Sequence, residues 1–183
     1  MADLSDLDRL VALDEIRRLP IRYAKAVEQR DADAMAALFT ADARFGEYGT
    51  GADGARRLMT ETMAESLVAV ILVANHLVEL DLPDDARGEV WALCVAQSDD
   101  DFVEQVLRYE DRYRCEDGEW RFLHRRHRLW YGHRRSPSPF EQRPAHWPQS
   151  QVGVGDIPLA DEQFRRWWEA RGYALGSPDD GEG

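Results

Sequence analysis

The chain has 183 residues, room for one domain with a substantial core and an appended tail but not for two comfortable domains. At 44% hydrophobic and 10% aromatic it has the composition of a globular protein rather than a disordered one. A formal net charge of -12 leaves no surplus of cations to displace phosphate counterions, which argues against nucleic acid as a partner.

Residues 6–29 carry Leu7, Leu10, Ile16, Leu19, Tyr23, Ala26 and Val27 on or near one stripe, which predicts an amphipathic helix. Pro20 falls inside it and predicts a kink or a split. Tyr23 sits in the apolar stripe, Glu28 follows five residues later, and Glu47 lies just past the next strand candidate. A hydroxyl and two carboxylates thus run through an element that otherwise reads as core wall, and that pattern points to a pocket. Asp31 reads as the N-cap of a second helix whose apolar face is Met35, Leu38 and Phe39. Residues 43–45 begin a short strand, the glycine-rich run that follows is a loop holding Tyr48, and residues 54–65 form a third helix.

The period then changes. Residues 68–82, 88–97, 102–115 and 119–131 are four strand candidates separated by short polar turns. Helices first and an antiparallel meander afterwards make an α+β domain, with a curved sheet packed on the N-terminal helices. Alternation along the third strand puts Leu107, Tyr109, Asp111, Tyr113 and Cys115 on the inner face. Asp111 is then a carboxylate on an apolar face, either hydrogen-bonded or holding a proton. The same parity faces Phe122, His124 and Arg126 inward on the last strand unless a bulge shifts the count, and Ile71 and Asn75 inward on the first. His76 falls on the opposite face, where a structural role is the simpler reading. Tyr48 and Trp91 complete the expected ligand-contacting set.

From residue 133 the composition turns to Pro, Ser, Gly, His and Gln, which reads as an extended arm. A short helix within residues 161–173 carries Phe164, Trp167 and Trp168 on one side, so the arm should pack on the domain or on a partner subunit. This divides the chain into a domain at 1–132, an arm at 133–175 and a disordered tail at 176–183. Cys94 and Cys115 lack CxxC spacing and no signal peptide precedes them, so free thiols in a reducing cytoplasm are expected. No apolar run approaches the length of a membrane span. The histidines show no metal-ligand spacing, and phosphate loops and nucleophile elbows are missing, so neither a metal nor an organic cofactor is expected.

Three stretches carry a family resemblance: IRRLPIRYAKAVEQRDADAMAALFTADARF, the NHLVELDLPDDARGEV strand pair, and YEDRYRCEDGEWRF. Over residues 4–132 the chain resembles the SnoaL-like branch of the nuclear transport factor 2-like superfamily, which includes scytalone dehydratase, bile-acid 7α-dehydratase and hexachlorocyclohexane dehydrochlorinase. The resemblance implies a cone-shaped α+β barrel, open at one end, that commonly forms a homodimer or higher homo-oligomer. Dehydratases of this branch pair a helix carboxylate with a strand histidine. Here the carboxylate position holds Glu28 and Tyr23 matches their tyrosine, but the histidine position, four residues before Asn75, holds Ile71. Ketosteroid isomerase, of the same fold, resembles this chain without gaps from Tyr23 to Glu47. That likeness implies Tyr23 as the oxyanion donor, Glu47 as the base and Asp111 near a proton-donating position.

The reaction these matches imply is proton abstraction next to a carbonyl with stabilisation of the enolate, in a cofactor-independent lyase or isomerase. The expected ligand is a hydrophobic cyclic small molecule, polyketide-, terpenoid- or steroid-like. Two other readings use the same fold: a binding protein without chemistry, and the small subunit of a ring-hydroxylating dioxygenase-type complex docking through its arm.

Overall fold

The computed structural model describes residues 5–81 and 83–173. The chain opens with helix α1 (Asp6–Gln29), started by a reciprocal cap in which Ser5 bonds the Asp8 backbone N–H and Asp8 reaches back to the Ser5 N–H. The helix runs through Pro20 as one element, so of the two outcomes expected from sequence the split does not occur. Proline removes one backbone donor, but Ile16, Leu19 and Val27 on the same face are buried, and that burial offsets a single lost bond. Arg30 ends α1 in the left-handed region at φ 53°. Asp31 caps the short α2 (Ala32–Ala36), as its position in the sequence predicts. Residues 43–45 form no strand, only a bridge between Arg44 and Thr50. A turn of 3-10 helix then leads to α3 (Gly51–Met63).

Four strands follow: β1 (Val68–Leu80), β2 (Asp85–Gln97), β3 (Phe102–Glu116) and β4 (Glu119–Arg135). They pair antiparallel in the order β1-β2-β3-β4 as one open sheet, so the architecture is α+β. The main core lies between α1, α2, α3 and one sheet face, with Ile16, Leu19, Tyr113 and Phe122 at its centre.

Three register shifts set which side chains reach that core. Val73 pairs with Ala92 but His76 pairs with Val90, so β1 carries one extra residue between them. On β4 the extra residues are Leu123, between the Tyr113–Phe122 and Arg112–His124 pairs, and Trp130, between the Leu107–Leu129 and Val106–Tyr131 pairs. Each such bulge reverses the inward–outward alternation beyond it.

The arm folds back on its own chain. Helices α4 (Asp156–Ala160) and α5 (Glu162–Ala170) bring Phe164, Trp167 and Trp168 against Leu67 and Val154 in a second, smaller core. Asp161 joins the two units: its carboxylate caps α5 at Phe164 N (2.8 Å) and pairs with Arg30 (3.0 Å). Arg30 also donates to the carbonyls of Ser66 and Leu67. The indole N–H groups of Trp167 and Trp168 donate to the carbonyls of Asp99 (3.0 Å) and Gln142 (3.2 Å). Trp168→Phe keeps the stacking surface but strands the Gln142 carbonyl and leaves a void, at an expected cost of about 1–2 kcal/mol. A chemical-denaturation midpoint measures it. The segment read as a disordered tail, 176–183, lies outside the described residues. No helix among those described is long and apolar enough to cross a membrane.

Candidate functional site

Between the inner sheet face and helices α1–α3 lies a cavity of about 360 Å³. Its wall takes Tyr23 and Val27 from α1, Met35 from α2, Leu58, Met59 and Met63 from α3, Ile71 from β1, and Leu107 and Tyr109 from β3. The polar groups on it are the hydroxyls of Tyr23, Thr62 and Tyr109, the Cys94 thiol, the Gln105 amide and the His127 imidazole. A dry cavity of roughly 150 Å³ accepts a benzene ring. This one therefore has room for two fused rings with substituents. All three methionines among the described residues stand on this wall, and their flexible thioethers suit a planar ligand face.

Beneath the cavity floor is a buried ion pair. Arg125 donates from Nε to Asp111 Oδ1 (2.9 Å) and from Nη2 to Oδ2 (2.7 Å), and the side chains are 3% and 0% exposed. The guanidinium lies 4.0 Å from the ring centroid of Tyr109, 4.3 Å from Phe122 and 4.5 Å from Tyr23. Burial makes the charge costly, but the bonds to Asp111 outweigh that and hold the Arg125 pKa above its ordinary value. The Tyr23 hydroxyl has no protein partner among the described residues. Burial raises its pKa, with Arg125 opposing more strongly than Asp111 adds, so the positive end of the ion pair faces the phenol. Burial likewise raises Tyr109 and Cys94, whose oxygen and sulfur are 3.9 Å apart.

A hydrogen-bond chain leads away from the cavity. The Tyr113 hydroxyl donates to Asp111 Oδ2 (2.9 Å) and lies 3.0 Å from His76 Nε2. Since the Tyr113 proton is committed to the carboxylate, His76 must donate from Nε2. Its Nδ1 is then a bare acceptor, buried and without a partner among the described residues. Gly88 makes space for this chain, because a Cβ there would stand 3.0 Å from the Tyr113 ring. Burial lowers the His76 pKa to about 4, Asp111 opposing. The unfolded ring, near 6.5, takes up a proton that the folded ring refuses. Stability due to His76 is thus complete above pH 6.5 and lost as pH falls to 4, by about 1–2 kcal/mol after solvent screening. Urea midpoints across that range should fall less in His76→Gln than in the parent.

The residues expected from sequence divide. Tyr23, Ile71 and Tyr109 stand on the cavity wall, and Phe122 and Tyr113 are buried just beneath it. Asp111 is buried as expected, but its carboxylate is taken up by three hydrogen bonds, from Tyr113 and Arg125, and does not stand on the cavity wall. Glu28 is exposed, beside Lys25 (3.4 Å), and Glu47 is exposed in the 3-10 turn; neither carboxylate reaches the wall. Tyr48, in that same turn, is also off it.

Two corrections follow from the bulges, and a third, Trp91, from plain alternation on β2. Asn75 is exposed and His76 points inward, the reverse of simple alternation. His124 and Arg126 face the outer groove with Arg112, while Arg125 and His127 take the inner positions. Trp91 is on the outer face against Trp130, ring centroids 5.5 Å apart. Arg125 and His127 are the inward side chains that simple alternation does not give. The one signal for them was chemical: a buried Asp111 needs a cation, and the HRRHR run on the neighbouring strand supplies it.

Comparison with known proteins agrees with this architecture. The family described as SnoaL-like domain matches residues 8–126. By sequence, no curated protein matches the chain. Among solved structures, hexachlorocyclohexane dehydrochlorinase LinA-type3 from Novosphingobium barchaimii is 23% identical at a TM-score of 0.67, covering 73% of this chain and 97% of its own. A candidate scytalone dehydratase from Novosphingobium aromaticivorans is 19% identical at 0.62, covering 69% and 89%. A Mycobacterium tuberculosis protein of unknown function is 20% identical at 0.61 and covers 97% of this chain and 98% of its own, so its match extends over the arm. At these identities the likeness establishes the fold alone.

Proposed function

The chain belongs to the SnoaL-like domain family, and from that premise we propose that it is a cofactor-independent lyase or isomerase. Its ligand is a hydrophobic cyclic small molecule bearing a carbonyl. The observation that carries this reading is the Tyr23 hydroxyl, unpartnered in an apolar cavity and set over the positive end of a buried ion pair. Such a donor waits for an oxygen on which negative charge develops, and it acts with little reorganisation because the ring is already clamped against Tyr109 and Phe122. The dehydrochlorinase and dehydratase among the structural neighbours support the class of chemistry and leave the substrate open.

A binding role without turnover is the second reading, favoured by the fact that no carboxylate stands on the cavity wall among the described residues. The two separate with 2-tetralone as a probe in deuterated buffer. The enzyme reading expects catalysed exchange of its C1 protons by NMR. Saturable binding with exchange no faster than buffer would leave the binding protein.

A further inference from the structure

With Glu28 and Glu47 off the wall, the proposed enolate chemistry needs a base from another source. Four titratable side chains stand on the cavity wall: Tyr23, Cys94, Tyr109 and His127. Burial raises the pKa of the two phenols and the thiol, so all three hold their protons at neutral pH. His127 differs in kind. Its imidazole lies edge-on to Tyr109, ring centroids 4.6 Å apart, on the cavity wall, and the residue is exposed to solvent. Neither ring nitrogen has a hydrogen-bond partner among the described residues, so one nitrogen offers a free lone pair.

We infer that His127 is the base of this site, taking a proton from a ring carbon of a ligand whose carbonyl oxygen is held by Tyr23. The inference rests on the proposed function and assigns the proton acceptor that reading lacks. Tyr109 lies between the two groups, 6.0 Å from Tyr23 and 4.6 Å from His127 by ring centroids. That bounds the Tyr23–His127 ring-centroid separation at about 11 Å, so both groups border the space one ligand occupies.

The step balances without a co-reactant. The C–H electron pair becomes the enolate C=C, the carbonyl π pair moves onto oxygen against the Tyr23 hydroxyl, and the proton goes to His127. Its return to a conjugated carbon completes an isomerisation. Departure of a β-substituent with its bonding pair completes an elimination, after which His127 releases its proton to solvent.

The surroundings also narrow the ligand. Tyr109 on β3 lies against His127 and Arg125 is two residues away on its own strand, bonded to Asp111, while Gln105 and Cys94 stand elsewhere on the same cavity wall. Burial and then Arg125 lower the His127 pKa, Asp111 opposing, so the ring is neutral and a weak base. A weak base removes only an acidified proton. A cyclic ketone whose C–H is activated twice, by the carbonyl and by an adjacent aryl ring or alkene, suits such a base best.

The test uses 2-tetralone, whose C1 position meets that description. His127→Gln keeps a polar group of similar length and removes the base. C1 exchange is expected to fall at least about 100-fold, with the dissociation constant changed less than about twofold. The parent's rate should rise with pH up to a pKa below 6.5 and then level off, and the variant should lack that limb. The His127 ring resonances, identified by their disappearance in the variant, should shift on adding 2-tetralone. Full exchange activity in His127→Gln would overturn the base and leave the proposed function standing. A parent that binds 2-tetralone without exchange would overturn both. Unshifted ring resonances on binding would place the ligand away from His127 and overturn this inference alone.

Discussion

Asp111→Ala is expected to destabilise the fold by roughly 3–5 kcal/mol, because it leaves the Arg125 guanidinium buried without its counter-charge. The side chain of Arg125 is 3% exposed, and Tyr23, Tyr109 and Phe122 confine it, so it cannot swing to water without opening the core. The same change strands the Tyr113 hydroxyl, and through it His76. Denaturant titration measures the loss. A double replacement, Asp111→Leu with Arg125→Met, removes both charges and should recover most of it, since a buried pair contributes little net stability over apolar residues of similar volume. A loss below about 1 kcal/mol in Asp111→Ala would mean that Arg125 finds solvent and that Asp111 is not what holds it in the core.

Tyr23→Phe is expected to lower catalysed 2-tetralone exchange by roughly 10²–10³-fold, the usual cost of deleting one oxyanion donor. The ring keeps its edge contacts with Tyr109 and Phe122 and its place over Arg125, so the denaturation midpoint should hold. Because burial raises the Tyr23 pKa above its ordinary 10, the phenol keeps its proton to higher pH than a free tyrosine does. No loss of the parent's activity is therefore expected between pH 8 and 10 from this group. Undiminished exchange in Tyr23→Phe would remove the tyrosine from the chemistry. A large fall in midpoint would instead mark it as a structural bridge between helix and sheet.

The weight on Tyr23 and His127, rather than on the carboxylates, comes from placement. Glu28 follows Val27 on α1, and one residue is 100° of helix, enough to carry it from cavity wall to solvent. Glu47 stands in a 3-10 turn instead of at the end of a strand, and the turn holds it outside. Both positions are those at which the sequence resemblance implies catalytic residues. Here the matching residues are present and the geometry is not.

Much of this protein can be read directly from its sequence. The apolar stripe of α1 from Ile16 onward, the cap at Asp31, the four strands and the inward set Tyr109, Asp111 and Tyr113 all follow from local pattern, which needs no knowledge of distant residues, whereas Leu7 and Leu10, expected on the same stripe, are exposed. The aromatic side of α5 likewise announced that the arm would dock. Whether it would dock on its own domain was decided by tertiary contacts, through Arg30 with Asp161 and the indole bonds to Asp99 and Gln142.

Tertiary structure alone decided which residues face the cavity beyond a bulge. A single extra residue at Leu123 turned His124 and Arg126 outward and brought Arg125 and His127 in, and another on β1 exchanged Asn75 for His76. The physical reason is that strand alternation has a period of two, so one inserted residue inverts every assignment after it. What stabilises those bulges lies on neighbouring strands: the demand of a buried Asp111 for a cation, and of Tyr113 for a donor, met only once the strands are side by side.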